Sequence, residues 1–248
     1  TFDFQSSTKR AYGTVELTES VGLLESLDGL SQPRLSVNAH PMEMYDQDHG
    51  FILYRTQVTG PWMGILRVRG LHDRAQVFIN GELVDVLDRE SGNEYSAVDI
   101  VNDAQLDILV ENMGRVNFGP ALLDRKGITD GVTINDQYQF GWEVFPLPLN
   151  DLSGLKFGSV QTDTCPAFFR TTLHVDEPAD TFLALPGWTK GVVWLNGFNL
   201  GRYWGRGPQT TLYVPAPLLK RGANELIVFE LHGTQQMTVE FRDTPELG

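Results

Sequence analysis

Two stretches of this sequence hold the residue types that recognition of a polar, ring-shaped ligand requires. "ENMGRVNFG" (111–119) offers Asn112, Arg115 and Asn117 as hydrogen-bond donors, Phe118 as a ring, and two glycines that permit sharp turns. "VVWLNGFNLGRYW" (192–204) ends on Arg202, Tyr203 and Trp204. A sugar packs its flat apolar face on an aromatic ring while amide and guanidinium groups take its hydroxyls. Those seven residues are therefore the candidate substrate-binding set. The first stretch suits a tightly docked domain interface equally well, and the second suits a buried β-hairpin.

Catalytic chemistry is not visible in the pattern. A retaining glycosidase needs two carboxylates about 5–5.5 Å apart across the scissile bond, and no spacing of the acidic residues implies such a pair. Asn93-Glu94 and Asn224-Glu225 sit in turn or strand-start settings and are read as surface residues. Glu111 lies at a strand end, where Arg115 could pair with it and order the loop that follows. No G-x-S-x-G elbow, H-E-x-x-H zinc motif or phosphate-cradling loop occurs. His40, His49, His72, His174 and His232 are scattered, so no metal site and no cofactor are expected. Asp46 and Asp48 in "YDQDHG" could hold calcium but read more simply as a solvated loop. Cys165, the single cysteine, reads as a buried structural thiol.

The elements that must position these residues are strands. Alternating, β-branched and aromatic runs such as "GFILYRTQV" (50–58) and "NELIVFELHG" (224–233) are broken every eight to twelve residues by Gly, Pro, Asn or Asp, which predicts an all-β sandwich fold. "ESVGLLESLDGL" (19–30) is the best helix candidate. A repeat organises the chain. Asn80-Gly81 matches Asn196-Gly197 at an offset of 116, Arg55 matches Arg170 at 115, and Glu111 matches Glu230 at 119. Matches in one order at near-constant offset predict a duplicated sandwich. Asn-Gly between alternating apolar runs predicts a hairpin in each copy, with Val193 and Leu195 on one face and Val192 and Trp194 on the other.

The expected organisation is an N-terminal strand segment over 1–37, whose "AYGTVELT" strand pairs with 131–147. A first sandwich over 38–128, strands and a linker over 129–165, and a second sandwich over 166–248 follow. The 248 residues are 41% hydrophobic, enough for real cores. A net charge of −13 argues against a nucleic-acid partner. No apolar run approaches the ~20 residues of a membrane span, and no signal peptide is visible. Compartment and oligomeric state, including a homo-oligomer, stay open.

"LVENMGRVNFG" with "DRKGI", and "LPGWTKGVVWLNGFNLGRYWGRGPQTTLYVP", closely resemble the C-terminal part of family 35 β-galactosidases; "QDHGFILYRT" and "GLHDRAQVFINGE" extend the likeness to nearly the whole chain. The resemblance implies two tandem galactose-binding-like jelly rolls belonging to a retaining enzyme that removes terminal β-linked galactose. It also implies that the catalytic glutamates belong to a (β/α)₈ barrel, so that no catalytic residue is expected in this chain. The barrel of the same enzyme and a galactose-containing carbohydrate are then the expected partners. By the same resemblance the Asn112–Gly119 loop faces the mouth of the barrel, with Phe118 where family members often carry Tyr. An autonomous carbohydrate-binding module and a docking or oligomerisation surface are the alternatives.

Overall fold

The computed structural model describes residues 7–161, 165–234 and 236–247. The chain opens with strands β1 (Gly13–Glu16) and β2 (Glu19–Gly22) and helix α1 (Leu23–Leu30). Next come β3 (Arg34–Ser36), β4 (Phe51–Val58), β5 (Trp62–His72), β6 (Arg74–Ile79), β7 (Glu82–Asp88) and β8 (Tyr95–Ile100). They are followed by β9 (Ala104–Glu111), β10 (Gly127–Ile134), β11 (Gln137–Tyr138) and β12 (Trp142–Leu147). The last group is β13 (Gly158–Ser159), β14 (Ala167–Val175), β15 (Thr181–Ala184), β16 (Lys190–Leu195), β17 (Phe198–Trp204), β18 (Thr211–Val214), β19 (Gly222–Glu230) and β20 (Thr238–Arg242). The fold is all-β. The helix expected over 19–30 is confined to its last eight residues, and the first four form β2.

Two compact units result, Leu30–Asn150 and a second made of Thr1–Gly29 with Asp151–Gly248. Each is a sandwich of a six-stranded and a four-stranded antiparallel sheet. The first unit has β3-β12-β4-β9-β6-β7 over β11-β10-β5-β8. The second has β13-β2-β14-β19-β16-β17 over β1-β20-β15-β18. Strand alternation sends one side of each strand into the core. In the first unit Ile52, Tyr54, Ile108 and Val110 meet Leu66, Val68, Val132 and Ile134. In the second, Phe169, Val193, Leu195 and Val228 meet Leu183, Val214, Val239 and Phe241. Val193 and Leu195 thus share the inward face, and Trp194 points the other way.

The two sheets of one unit match those of the other place for place. β4, β9, β6 and β7 correspond to β14, β19, β16 and β17, so the Arg55/Arg170 and Asn-Gly matches fall at equivalent positions. The Glu111/Glu230 match slips by one residue: Glu230 pairs with Gly191, the counterpart of Ala75, and so stands where the first unit has Val110. One difference matters for the chain. In the first unit β11 and β12 follow β10 and pair with β10 and β4. In the second, the equivalent places beside β20 and β14 are taken by β1 and β2 from the start of the chain.

This corrects the expected partner of the N-terminal strand. Gly13–Glu16 pairs with Thr238–Phe241, not with 131–147, because the sandwich to which it belongs has an open position beside β20. Leu17, which follows it, is fully buried in the second core. Among the described residues, the strand pairing between 1–37 and 131–147 is β3 on β12, Ser36 opposite Trp142. Residues 127–147 form sheet strands of the first unit, and of the stretch read as linker, 162–164 lie outside the described residues.

Candidate functional site

The loop after β9 is anchored at its base and exposed at its tip. Asn112 is buried; its Nδ2 donates to the Asp48 carbonyl at 2.8 Å, and its Oδ1 accepts from the Gly114 N–H at 2.9 Å. Gly114, at φ 105°, then redirects the chain. Arg115 Nη1 donates to the same Asp48 carbonyl at 2.6 Å, and its other Nη pairs with Glu43. Arg115 therefore does not pair with Glu111 as the strand-end reading suggested, because the turn at Gly114 carries it towards the short helix Met42–Tyr45. Below the loop, Lys126 Nζ sits between Asp73, at 2.8 and 2.9 Å, and Asp124, at 3.1 Å. Asp73 also accepts the Met113 N–H at 2.8 Å. Burial would raise the Asp124 carboxyl, but hydrogen bonds from Arg89 and Lys126 and the nearby His72 and Lys126 charges win and hold it below the usual range. At the tip, Asn117 is exposed and Phe118 is 87% exposed, beside the exposed Val116, Leu122 and Leu123.

The second candidate group splits. Tyr203 is buried, and its hydroxyl donates to the Glu230 carboxylate at 2.8 Å and lies 3.0 Å from the Phe229 carbonyl. Gly191 makes that approach possible, since a Cβ there would collide with the Phe229 carbonyl and the Tyr203 hydroxyl. Burial pushes the Tyr203 hydroxyl well above its ordinary value, and Glu230 adds to the shift. Glu230 has no exposed surface; burial raises its carboxyl, against the N–H groups of His232, Thr189 and Lys190 and the Tyr203 hydroxyl. Trp188 and Trp194 are also buried. Trp204 is half-buried, with Lys190 Nζ and the Arg206 guanidinium each 4.4 Å from its ring. Arg202, one residue before Tyr203, is exposed. Tyr203 and Trp204 line a cavity of about 510 Å³ together with Trp188, Thr210, Arg242 and Glu246.

Asn112 and Arg115 are thus brought together on one carbonyl, and Tyr203 and Trp204 on one cavity, but the two groups belong to different units. Sequence reasoning missed Glu43, Asp73 and Lys126, which come from elements distant in sequence. It also passed over Glu230, although the repeat aligned it with Glu111. Asp46 and Asp48 are taken by Arg34 and His49, and the described residues contain no group of three or more metal-ligating side chains. Burial pushes the Cys165 thiol up to about 12, the inert state of a structural cysteine. No helix among the described residues is long and apolar enough to cross a membrane.

Known proteins share both units. Residues 40–148 match the family described as "Beta-galactosidase, first all-beta domain", and 166–224 match "Beta-galactosidase, galactose-binding domain". The chain belongs to the family 35 β-galactosidases. Beta-galactosidase 1 of Dictyostelium discoideum is 36% identical over 97% of the chain and 40% of its own length. The Bos taurus beta-galactosidase is 36% identical over 97% of the chain and 42% of its own. The beta-galactosidase-1-like protein of Mus musculus is 40% identical over 97% and 40%. These β-galactosidase domains therefore span about two fifths of the length of the curated relatives they match.

Proposed function

We propose that these are the non-catalytic β-domains of a retaining enzyme that hydrolyses terminal β-linked galactose. They pack on and stabilise a (β/α)₈ catalytic barrel of the same protein, and the 112–118 loop bounds the substrate entrance. One observation carries this reading: a loop clamped by Glu43, Asp73 and Lys126 presents an exposed apolar tip, Val116 to Leu123, in domains that cover only about two fifths of their relatives. A rigid base under an exposed ring is what holds a wall of a binding site in place. Phe118 there supplies a stacking ring without a hydroxyl.

The pure chain should not turn over a chromogenic β-galactoside; clear turnover would overturn the accessory role. In the longer enzyme, Phe118→Ala should raise KM while changing stability by no more than about 0.5 kcal/mol, as expected at an exposed site. A stability loss with KM unchanged would remove the loop from the entrance. A second reading, sugar binding by the second unit alone, is favoured by the cavity beside Trp204. Its test is Trp204→Ala, which should abolish the saturable galactose-induced shifts of the amides around that cavity.

A further inference from the structure

The sheet equivalence makes one cavity of the first unit informative. Arg55 and Arg170 occupy the same place in β4 and β14, and each faces a glutamate on the neighbouring strand, Glu143 on β12 and Glu19 on β2. In the second unit this place is filled. Arg170 donates to both oxygens of Glu19, at 2.8 and 2.9 Å, and the ring of Phe157 lies 4.2 Å from its guanidinium carbon. In the first unit the Arg–Glu pair is not made. Arg55 turns to Asp107, at 2.7 and 3.2 Å, and Gln105 also donates to Asp107 at 2.8 Å. Glu143 is left exposed, with no partner among the described residues. The register places Ser159 opposite Glu19 and Leu35 opposite Glu143. Counting back two residues from each puts Pro33 where the second unit has Phe157, and the ring beside the Arg55 guanidinium is that of Phe145, 5.5 Å away. Next to Arg55 and Glu143, on the side of Val37 and Phe140, lies a cavity of about 700 Å³, within the range of small-ligand sites.

We propose that this cavity, beside the Arg–Glu pair that the first unit leaves unmade, is a binding site for a neutral sugar ring. Its walls divide as a sugar requires. Phe140 offers a half-exposed ring at the rim, 57% accessible, while Gln57, Gln105, Glu143 and the outer N–H groups of Arg55 offer donors and acceptors. Charge narrows the class. Asp107 is fully buried and neutralises Arg55, so Glu143 leaves the site with a net negative charge that repels an anionic sugar. The site is separate from the Trp204 cavity and from the 112–118 loop, and it does not depend on the accessory role proposed above.

The test is titration of the ¹⁵N-labelled chain with galactose, lactose and glucuronate. Galactose or lactose should shift the amides of Gln105, Phe140 and Glu143 saturably in the millimolar range. Phe140→Ala and Glu143→Ala should each weaken binding by at least about fivefold, the effect of losing one good contact. Both side chains are exposed, so the fold survives, which unchanged amide shifts of the first unit's strands away from the cavity verify. Trp204→Ala should leave these shifts intact. No saturable shift at tens of millimolar galactose or lactose, tighter binding of glucuronate, or loss of the shifts in Trp204→Ala with retention in Phe140→Ala each overturns the proposal. None of these results bears on whether the chain alone hydrolyses a galactoside.

Discussion

Glu230 and Asp124 are both largely buried carboxylates, yet their surroundings drive them in opposite directions. Around Asp124 the cations of Lys126, Arg89 and His72 outweigh burial, so its folded-state pKa lies below the unfolded value. Its contribution to stability is present above the unfolded value and is lost as pH falls through the folded one. Around Glu230 burial outweighs the donors, so the folded pKa lies above the ordinary 4.5. Its contribution is full below the unfolded value and is lost as pH rises through the folded one. Glu230→Gln should therefore remove a downward stability slope that begins near the ordinary glutamate range. It should also cost about 1–3 kcal/mol in acid, because Thr189 and His232 donate to different carboxyl oxygens and the amide NH₂ that replaces one of them leaves that N–H without an acceptor. Denaturant melts of both proteins across pH check this, and an unchanged slope in the variant would assign that pH dependence elsewhere. Glu230 was not legible in the sequence: the repeat aligned it with Glu111, whereas the sheet registers put it at the place of Val110. Nor was the ion cluster under the 112–118 loop, because Glu43, Asp73 and Lys126 converge only once distant strands have paired.

At the scale of elements, local turn chemistry was the most readable feature. Asn80-Gly81 and Asn196-Gly197 both adopt positive φ, at 52° and 83° and at 50° and 79°, as two-residue hairpins require. The turns differ in what else they hold. Asn80 Oδ1 accepts the Gln105 N–H. Asn196 does the same for the Glu225 N–H, and its Nδ2 also donates to the Leu218 carbonyl and to Asn224. Alanine at either position meets the left-handed backbone cost of about 1–2 kcal/mol and loses a hydrogen bond of about 1 kcal/mol. Asn196→Ala loses two more, so it should destabilise its sandwich by about 1–2 kcal/mol more than Asn80→Ala destabilises the first. Equal shifts in the unfolding midpoints would show that the bonds to Leu218 and Asn224 contribute nothing net. The same hairpin decides the aromatic stretch. Its ladder buries Trp194 and Tyr203 within the fold, and of the three residues singled out at its end Arg202 and Trp204 keep surface for a ligand. Four-residue β1 illustrates the opposite case: its alternation marks a strand but carries no information about a partner more than 220 positions away.

At the scale of the molecule, the first sandwich is inserted in sequence between the opening strands of the second and the rest of it. The first completes itself with β11 and β12 immediately after β10, through the tight turn at Asn135 and Asp136, both at positive φ. The second borrows β1 and β2 from the other end of the chain. Removing residues 1–22 should therefore cripple the distant sandwich and spare the adjacent one. The second unit would lose Leu17 from its core, the Glu19–Arg170 pair, and the strands that cover β20 and β14, leaving unpaired backbone groups on both. Amides of β14, β19 and β20 should lose protection from hydrogen exchange, while those of β4 and β9 keep theirs. The register also supplies a rescue. Gly13 lies opposite Phe241, so the start of β1 is beside the end of β20, as the start of β11 is beside the end of β10. Joining residues 7–22 behind residue 247 through a short flexible linker should restore protection in the second unit by recreating the first unit's chain order. Equal loss in both units on truncation, or failure of the permuted chain to recover, would mean that the two sandwiches do not share one topology in the physical sense that their sheets imply.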